Sequence, residues 1–115
     1  MRARYLDLDY GQLHYRSNEC SSAPPLLLLH QSPSDSTMYA ELAATLDDQY
    51  WVIAPDNPGF GNSDALPDGF SLLGCAQSIE MLLDHLGIQQ CFLFGHHTGA
   101  SIAVQLAASA PQTVS

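Results

Sequence analysis

The stretch 91–106, CFLFGHHTGASIAVQL, decides the fold of this chain, because three kinds of local structure follow one another in it. A short apolar run predicts a buried strand, Gly95 and Gly99 bracket a tight turn, and the alanine-rich continuation predicts a helix that packs closely on a sheet. The apex residue of such a turn projects its side chain toward the free N–H groups that open the helix. His97 lies at this apex, so we expect it to take part in chemistry.

Strands alternate with helices along the rest of the chain. Residues 3–17 alternate apolar and polar side chains on either side of a Tyr-Gly pair, which predicts an antiparallel hairpin. Short apolar runs and helical spacing predict three further strands, at 23–30, 50–56 and 88–94, and three helices, at 34–49, 72–86 and 99–109. This order predicts the α/β class, with a mostly parallel sheet opened by an antiparallel hairpin and helices on both faces.

Composition limits the classes of protein to which the chain can belong. With 115 residues, of which 46% are hydrophobic, we expect one globular domain. Three basic residues against twelve acidic ones, a formal net charge of −9, argue against nucleic acid as a partner. No apolar run approaches the roughly 20 residues of a membrane helix. The charged N-terminus does not resemble a signal peptide, and three cysteines in no metal-binding spacing are typical of free thiols, so we predict a cytoplasmic protein.

Three loops carry most of the unusual residues. They follow the predicted parallel strands and span 30–33, 56–64 and 95–99. Ligands of open α/β sheets bind beyond the carboxyl ends of the strands, which is where these loops meet. The loops contain three of the five histidines. We therefore expect a site for a small-molecule substrate at this end of the sheet.

Three motifs in these loops resemble those of the α/β-hydrolase family. LLLLHQSP (26–33) is similar to the family's strand that ends in His-Gly-x-Pro, and VIAPDNPGFGNSD (52–64) is similar to its Asp-x-Pro-Gly-x-Gly-x-Ser loop. FLFGHHTGA (92–100) is similar to the nucleophile elbow, the turn that carries the family's attacking side chain. The resemblance implies an α/β-hydrolase fold and a hydrolase that acts on an ester or a related small apolar substrate.

The resemblance also implies roles for individual residues. His97 falls at the nucleophile position, and Gly95 and Gly99 are the glycines of the elbow. The backbone N–H groups of Ser32 and Thr98 would form the oxyanion hole, the pair of donors that stabilises the charged intermediate. A structural role is implied for five residues of the second motif, Asp56, Pro58, Gly59, Gly61 and Ser63.

The sequence departs from the family pattern at three points. Gln31 replaces a glycine, and His97 replaces the usual serine, cysteine or aspartate. The acid and the histidine that complete the family's catalytic triad follow later strands, and no counterpart of them follows Pro111. We therefore expect residues 1–115 to be the N-terminal part of a single α/β-hydrolase domain, truncated before the later strands and the cap. Such a truncation leaves the apolar strand at 91–94 on an open edge, through which self-association is possible.

Two other hypotheses remain open. In the first, the chain has lost catalysis together with the usual nucleophile and is a non-catalytic relative that acts as a binding or interaction module. Alternatively, His30, His96 and His97 converge on a zinc ion, although their spacing matches no known ligand pattern. The sequence carries no nucleotide, calcium or zinc fingerprint, so we predict no cofactor and no metal.

Overall fold

Five strands form one mixed sheet. The computed structural model describes all 115 residues. Its strands are β1 (Arg2–Leu8), β2 (Gly11–Ser17), β3 (Pro25–Leu29), β4 (Trp51–Pro55) and β5 (Phe92–Gly95), and their order across the sheet is β1-β2-β4-β3-β5. β2 pairs with β1 and β4 in antiparallel fashion, whereas β3 lies parallel to both β4 and β5. The carboxyl ends of β3, β4 and β5 therefore meet at one end of the sheet.

Three α-helices cover the two faces of the sheet. They are α1 (Ala40–Leu46), α2 (Leu72–His85) and α3 (Thr98–Ser109). α1 packs on one face over a small core that includes Leu28 and Val52, and α2 and α3 pack on the other face over a core of fifteen buried residues that includes Leu27 and Ile53. Neighbouring residues of a strand point to opposite faces, so β3 and β4 contribute to both cores. The predicted α/β class is confirmed, and none of the helices is long and apolar enough to cross a membrane.

Helix α2 begins and ends where its capping residues predict. The Ser71 hydroxyl accepts a hydrogen bond from the Gly74 N–H (2.9 Å), which satisfies one of the free donors of the first turn. Gly87 follows the helix with a positive φ of 71°, a conformation that glycine adopts without strain. Six residues of α2 are buried against the sheet and α3: Cys75, Ala76, Ser78, Ile79, Leu82 and Leu83.

The predicted helix at 34–49 is interrupted. A 3₁₀ turn, Ser36–Tyr39, precedes α1, because the Asp35 carboxylate accepts the Thr37 N–H (2.8 Å) and closes a tighter turn. Tyr39 then leaves helical geometry, and its hydroxyl donates to the Leu29 carbonyl oxygen (2.7 Å). The predicted strand at 88–94 also starts later, at Phe92. At 34–49, local and tertiary hydrogen bonds decided the helix boundary against the periodic pattern.

All three cysteines are free thiols. Burial raises the pKa of Cys75 and of Cys91 to about 11. Both thiols therefore stay protonated at neutral pH and behave as small apolar core residues.

Strand β5 forms an open edge of the sheet. On its outer side the Cys91 N–H donates to Thr113 (2.8 Å) and the Cys91 carbonyl accepts from Ser115 (3.0 Å), which makes a single parallel rung. Beyond this rung the strand has no neighbour. Phe92 and Phe94 are 44% and 48% exposed, and the strand carries no charged residue, proline or bulge of the kind that protects natural edges.

We predict that the chain self-associates through this edge at micromolar concentrations, because unpaired backbone groups and exposed phenylalanines favour edge-to-edge pairing. Phe92→Lys should shift the chain toward monomer in sedimentation velocity, since a charge on the edge opposes pairing. Met81→Lys is the matched control, because Met81 is 47% exposed on α2 and lies beside Tyr10 of the β1–β2 hairpin, at the opposite edge of the sheet. A wild-type chain that sediments as a monomer would contradict the prediction.

Candidate active site

The turn between β5 and α3 holds His97 in a strained backbone conformation. Its φ of 52° and ψ of −115° lie in a region that residues with a side chain rarely adopt. Conformations of this kind cost of order 1–3 kcal/mol and persist where the surroundings hold them. The turn takes the chain from Gly95, the last residue of β5, to Thr98, the first of α3. The His97 side chain projects from its apex and is exposed.

Gly95 and Gly99 allow the turn to press against the end of β3. A Cβ atom on Gly99 would overlap the Leu29 carbonyl group, and a Cβ atom on Gly95 would overlap the Gly99 carbonyl group. The His96 N–H donates to the Leu29 carbonyl oxygen (3.2 Å), which ties the turn to β3. Even a methyl group at either glycine would separate α3 from the sheet.

An open pocket of about 690 Å³ lies beside His97. Its lining comes from the ends of β3 and β5, the start of α3 and the loop before α2: Gln31, Ser32, Phe70, Leu72, His97, Thr98 and Ser101. The structure thus brings His97, Ser32 and Thr98 together in one pocket. Phe70 and Leu72 form an apolar wall that the sequence analysis did not identify. An aromatic residue beside a helix N-cap was the only signal for it.

Two residues of the pocket, Ser32 and Thr98, have backbone N–H groups without a hydrogen-bond partner in the chain. The Ser32 N–H takes part in no hydrogen bond of the chain. Thr98 opens α3, and the first N–H groups of a helix have no partner within it. The helix macrodipole adds partial positive charge at the same place. The buried Ser32 hydroxyl also lacks a hydrogen-bond partner.

His30 is a structural residue of the loop that follows β3. The ring is completely buried, and its Nε2 atom accepts a hydrogen bond from the Asn57 N–H (2.8 Å). Because an amide can only donate, Nε2 carries no proton, and Nδ1 donates to the Gln31 carbonyl oxygen (2.6 Å). Both ring nitrogens are therefore occupied. The hypothesis of a zinc site that includes His30 is wrong for this reason.

His96 and His97 form a pair of exposed imidazole rings. Their centroids lie 4.4 Å apart, and the ring planes are nearly perpendicular, at 87°. The chain provides no hydrogen-bond partner for any of the four ring nitrogens. The two ion pairs of the chain, Arg4–Glu19 and His14–Asp56, do not involve either ring.

Asp56 holds the loop that follows β4. Its buried carboxylate accepts hydrogen bonds from the Ser36 N–H (2.7 Å), from His14 Nδ1 (2.7 Å) and from the Asn62 N–H (2.9 Å). These donors belong to the start of the 3₁₀ turn, to β2 and to the loop itself. Gly61, beside Asn62, has a positive φ of 53°, and a Cβ there would overlap the Asp56 carboxylate. This geometry agrees with a structural role for Asp56 and Gly61.

The pKa of the Asp56 carboxyl is lowered by its surroundings. Burial alone raises the pKa, but the N–H groups of Asn62 and Ser36 and the His14 ring favour the charged form more strongly. A carboxyl whose pKa is lower in the folded than in the unfolded state stabilises the fold above its ordinary pKa. That stabilisation is lost as the pH falls through the folded-state value.

We predict that Asp56→Asn lowers the free energy of unfolding at neutral pH by about 3 kcal/mol, because one amide oxygen cannot accept three N–H groups. The difference from wild type should shrink as the pH falls below about 4. Urea denaturation across this pH range measures both effects. Asp84→Asn, on the exposed surface of α2, should change stability by no more than about 0.5 kcal/mol. A difference between wild type and Asp56→Asn that does not depend on pH would contradict the assignment.

We predict that Gly99→Ala destabilises the fold by about 3 kcal/mol or more, since the added methyl group meets the backbone of β3. Gly87→Ala is the matched control. It adds the same methyl group into open space and should cost only about 1 kcal/mol, the penalty of its positive φ. Equal losses in urea denaturation for the two variants would show that α3 does not depend on the close approach.

Known proteins share both the sequence and the fold of this chain. A family model described as alpha/beta hydrolase fold matches residues 24–115. Haloalkane dehalogenase 2 of Mycobacterium tuberculosis is 33% identical over 107 residues, which are 91% of this chain and 36% of that protein. The soluble epoxide hydrolase of a Corynebacterium is 33% identical over 96 residues, 84% of this chain and 33% of that protein.

Solved structures agree with these matches. Cfl2 from Burkholderia cenocepacia superposes with a TM-score of 0.93 at 28% identity, over 98% of this chain and 38% of that one. A loop variant of a haloalkane dehalogenase from Bradyrhizobium elkanii gives a TM-score of 0.90 at 28% identity, again over 98% of this chain and 38% of the other. The chain thus spans between 33% and 38% of the length of these four proteins. It belongs to the α/β-hydrolase fold family.

Proposed function

We propose that the pocket is a hydrolytic site in which His97 is the nucleophile and the substrates are small, largely apolar esters. The observation that carries the proposal is the position of His97, at a strained apex between two glycines, in one pocket with the N–H groups of Ser32 and Thr98. Strained residues of this kind concentrate at functional sites. A nucleophile and two donors for an oxyanion are the two main requirements of acyl transfer.

The apolar wall supports the choice of substrate. Phe70 is 52% exposed and Leu72 is 37% exposed, although both lie beside the pocket. Phe70 is held by an edge-to-face contact with Phe60 (6.4 Å between centroids), whose ring makes a similar contact with buried His30 (6.0 Å). An aliphatic or aromatic group of a substrate would remove the exposed wall from water, which is favourable at about 25 cal/mol for each Å² buried.

In the proposed reaction a ring nitrogen of His97 attacks the ester carbonyl carbon. A C–N bond forms, and the carbonyl oxygen becomes an anion that the N–H groups of Ser32 and Thr98 stabilise. The C–O bond to the alcohol then breaks, the remaining ring N–H proton passes to the departing alkoxide, and a neutral acyl-imidazole is left on His97. Water cleaves this intermediate, which releases the acid and restores the ring.

The chemistry of imidazole distinguishes this reaction from those that the relatives' names describe. A haloalkane or an epoxide is attacked at a saturated carbon, where a histidine nitrogen would form an N-alkyl bond. Such a bond offers water no carbonyl carbon to attack, and it does not hydrolyse. An acyl-imidazole does hydrolyse, so a histidine at this position supports turnover of esters and only a single, irreversible reaction with alkyl electrophiles.

We predict that the chain hydrolyses p-nitrophenyl butyrate and that His97→Gln lowers kcat/KM by about a hundredfold or more, because the nucleophile is removed. His85→Gln is the matched control, since His85 is exposed on α2 away from the pocket, and it should retain full activity. Bromohexane should leave one alkyl group on His97, detectable by mass spectrometry, without continued release of bromide.

Two results would overturn the proposal. Equal ester hydrolysis by wild type and His97→Gln would show that His97 is not the nucleophile, and if neither rate exceeds the uncatalysed rate, the alternative that the pocket only binds ligands is favoured. Continuous release of bromide by the wild-type chain would mean that a group other than His97 forms the intermediate.

A further inference from the structure

We propose that a groove along the exposed side of α3 binds a linear aliphatic chain of the substrate, so that esters with an octanoyl or octyl group are preferred over their short-chain counterparts. This inference rests on the proposed function, because it names the substrate class of the same site. The observation that carries it is the continuity of the groove with the pocket beside His97. Leu72 and Ser101 line both cavities.

The groove extends the pocket along helix α3. Its volume is about 410 Å³, and six residues line it: Leu72, Ala100, Ser101, Val104, Gln105 and Ala108. Leu72 is the first residue of α2 and the other five belong to α3, so the groove lies between the start of one helix and the length of the other. At about 1.5 Å per residue, Ser101 and Ala108 lie about 10 Å apart along the helix axis. This length suits a chain of several methylene groups rather than an acetyl group.

The period of α3 separates the groove from the core. Ile102 and Leu106 are completely buried. Ser101, Val104 and Ala108 follow one another at spacings of three and four residues, so they form a row on a different side of the helix. Val104 is 69% exposed within this row. An aliphatic chain that lies on the row would remove it from water, which is favourable for apolar surface.

The lining of the groove favours an uncharged occupant. None of the six lining residues carries a charge, although the chain has twelve acidic residues and a formal net charge of −9. A charged group in the groove would lose contact with water without gaining an ionic partner. Leu72, Val104 and the two alanines instead offer apolar surface. The groove therefore suits a neutral aliphatic chain.

The size of the groove favours a small ligand over a protein partner. Its volume of about 410 Å³ falls within the range of roughly 300–1,000 Å³ that is typical of ligand pockets. A specific protein interface uses roughly 20–30 residues on each side, far more than the six that line this groove. Among small apolar ligands, the continuity with the pocket of His97 selects the chain of a substrate whose ester group lies in that pocket.

A chain in the groove should raise kcat/KM with each methylene group that it buries. Full burial of one methylene group strengthens binding by about fourfold. Because the groove is open to water along one side, we expect about half of this free energy, which gives about twofold for each group and about tenfold between a butanoyl and an octanoyl ester. The chain is bound equally before and during the reaction, so the gain should appear in KM rather than in kcat.

The test compares p-nitrophenyl butyrate with p-nitrophenyl octanoate, and butyl acetate with octyl acetate. Each ester is used below the concentration at which it aggregates, and each rate is corrected for hydrolysis without protein. We expect the longer chain to raise kcat/KM by about tenfold in one of the two series. The series that shows the increase identifies whether the acyl or the alcohol part occupies the groove.

Variants of one groove residue locate the preference. Val104→Asp should remove most of the preference for the longer chain, because it places a charge in the groove, and Val104→Ser is a second replacement if Val104→Asp does not fold. Met81→Asp is the matched control. Met81 is 47% exposed on α2 and lines neither cavity, so this variant should keep the preference.

A binding measurement does not depend on turnover. Octanamide carries the octanoyl chain on a neutral head group, and we expect it to shift the backbone amide resonances of Ser101, Val104 and Ala108 in ¹⁵N-labelled His97→Gln. Butanamide should leave these resonances nearly unchanged, and the shifts with octanamide should be lost when Val104→Asp is added.

The outcomes separate this inference from the proposed function. Equal kcat/KM for short and long chains in both series would overturn this inference, and hydrolysis that still depends on His97 would leave the proposed function standing. An equal loss of preference in Met81→Asp and Val104→Asp would also overturn it, because the preference would not arise in the groove. If octanamide shifts the groove resonances but His97→Gln hydrolyses esters as wild type does, the role of His97 is wrong and the groove stands as a binding site for an aliphatic chain.

Discussion

The contact between Gly99 and the carbonyl group of Leu29 is the constraint on which the candidate site depends. Without a side chain at 99, α3 starts directly against the end of β3. The chain has only two residues, His96 and His97, in which to turn from β5 into that helix. The positive φ of His97 is the consequence. The same approach places the first N–H groups of α3 beside the loop that contains Ser32.

Buried polar groups hold the other walls of the pocket. His30 fixes the loop after β3 through Gln31 and Asn57, and Asp56 fixes the loop after β4 through three N–H donors. Each of these groups is nearly or fully inaccessible to water, where an unpaired charge or donor is costly. The loops that line the candidate site are therefore held in place by interactions that lie outside it. Preorganised donors stabilise a developing charge better than water does, because they need not reorient.

The sequence was sufficient to predict the fold class and most of the elements, whereas the catalytic roles of the site residues stay predictions. Periodicity predicted the hairpin, helix α2 and the strand-to-helix turn, because these depend on local patterns and on capping residues such as Ser71 and Gly87. Periodicity failed at 34–49, where the Asp35 carboxylate competes with helical hydrogen bonds. The apolar wall could not be predicted, because the place of Phe70 depends on tertiary contacts, such as the edge-to-face contact with Phe60, that sequence patterns do not encode. The perpendicular arrangement of the His96 and His97 rings likewise depends on side-chain dihedral angles, which the spacing of residues in the sequence does not determine.

The open edge and the site are physically linked through β5. Cys91 already pairs with the segment 113–115 in parallel fashion, which shows that this edge accepts a further strand. Alternate residues of a strand direct their backbone groups to the same side, so Leu93 and Gly95 present the next free N–H and carbonyl groups. Gly95 is also the residue that touches Gly99 at the base of the His97 turn. Any strand that pairs along β5 therefore restrains the residue from which the turn departs. Pairing along this edge would therefore add to the contacts with β3 that already hold the turn.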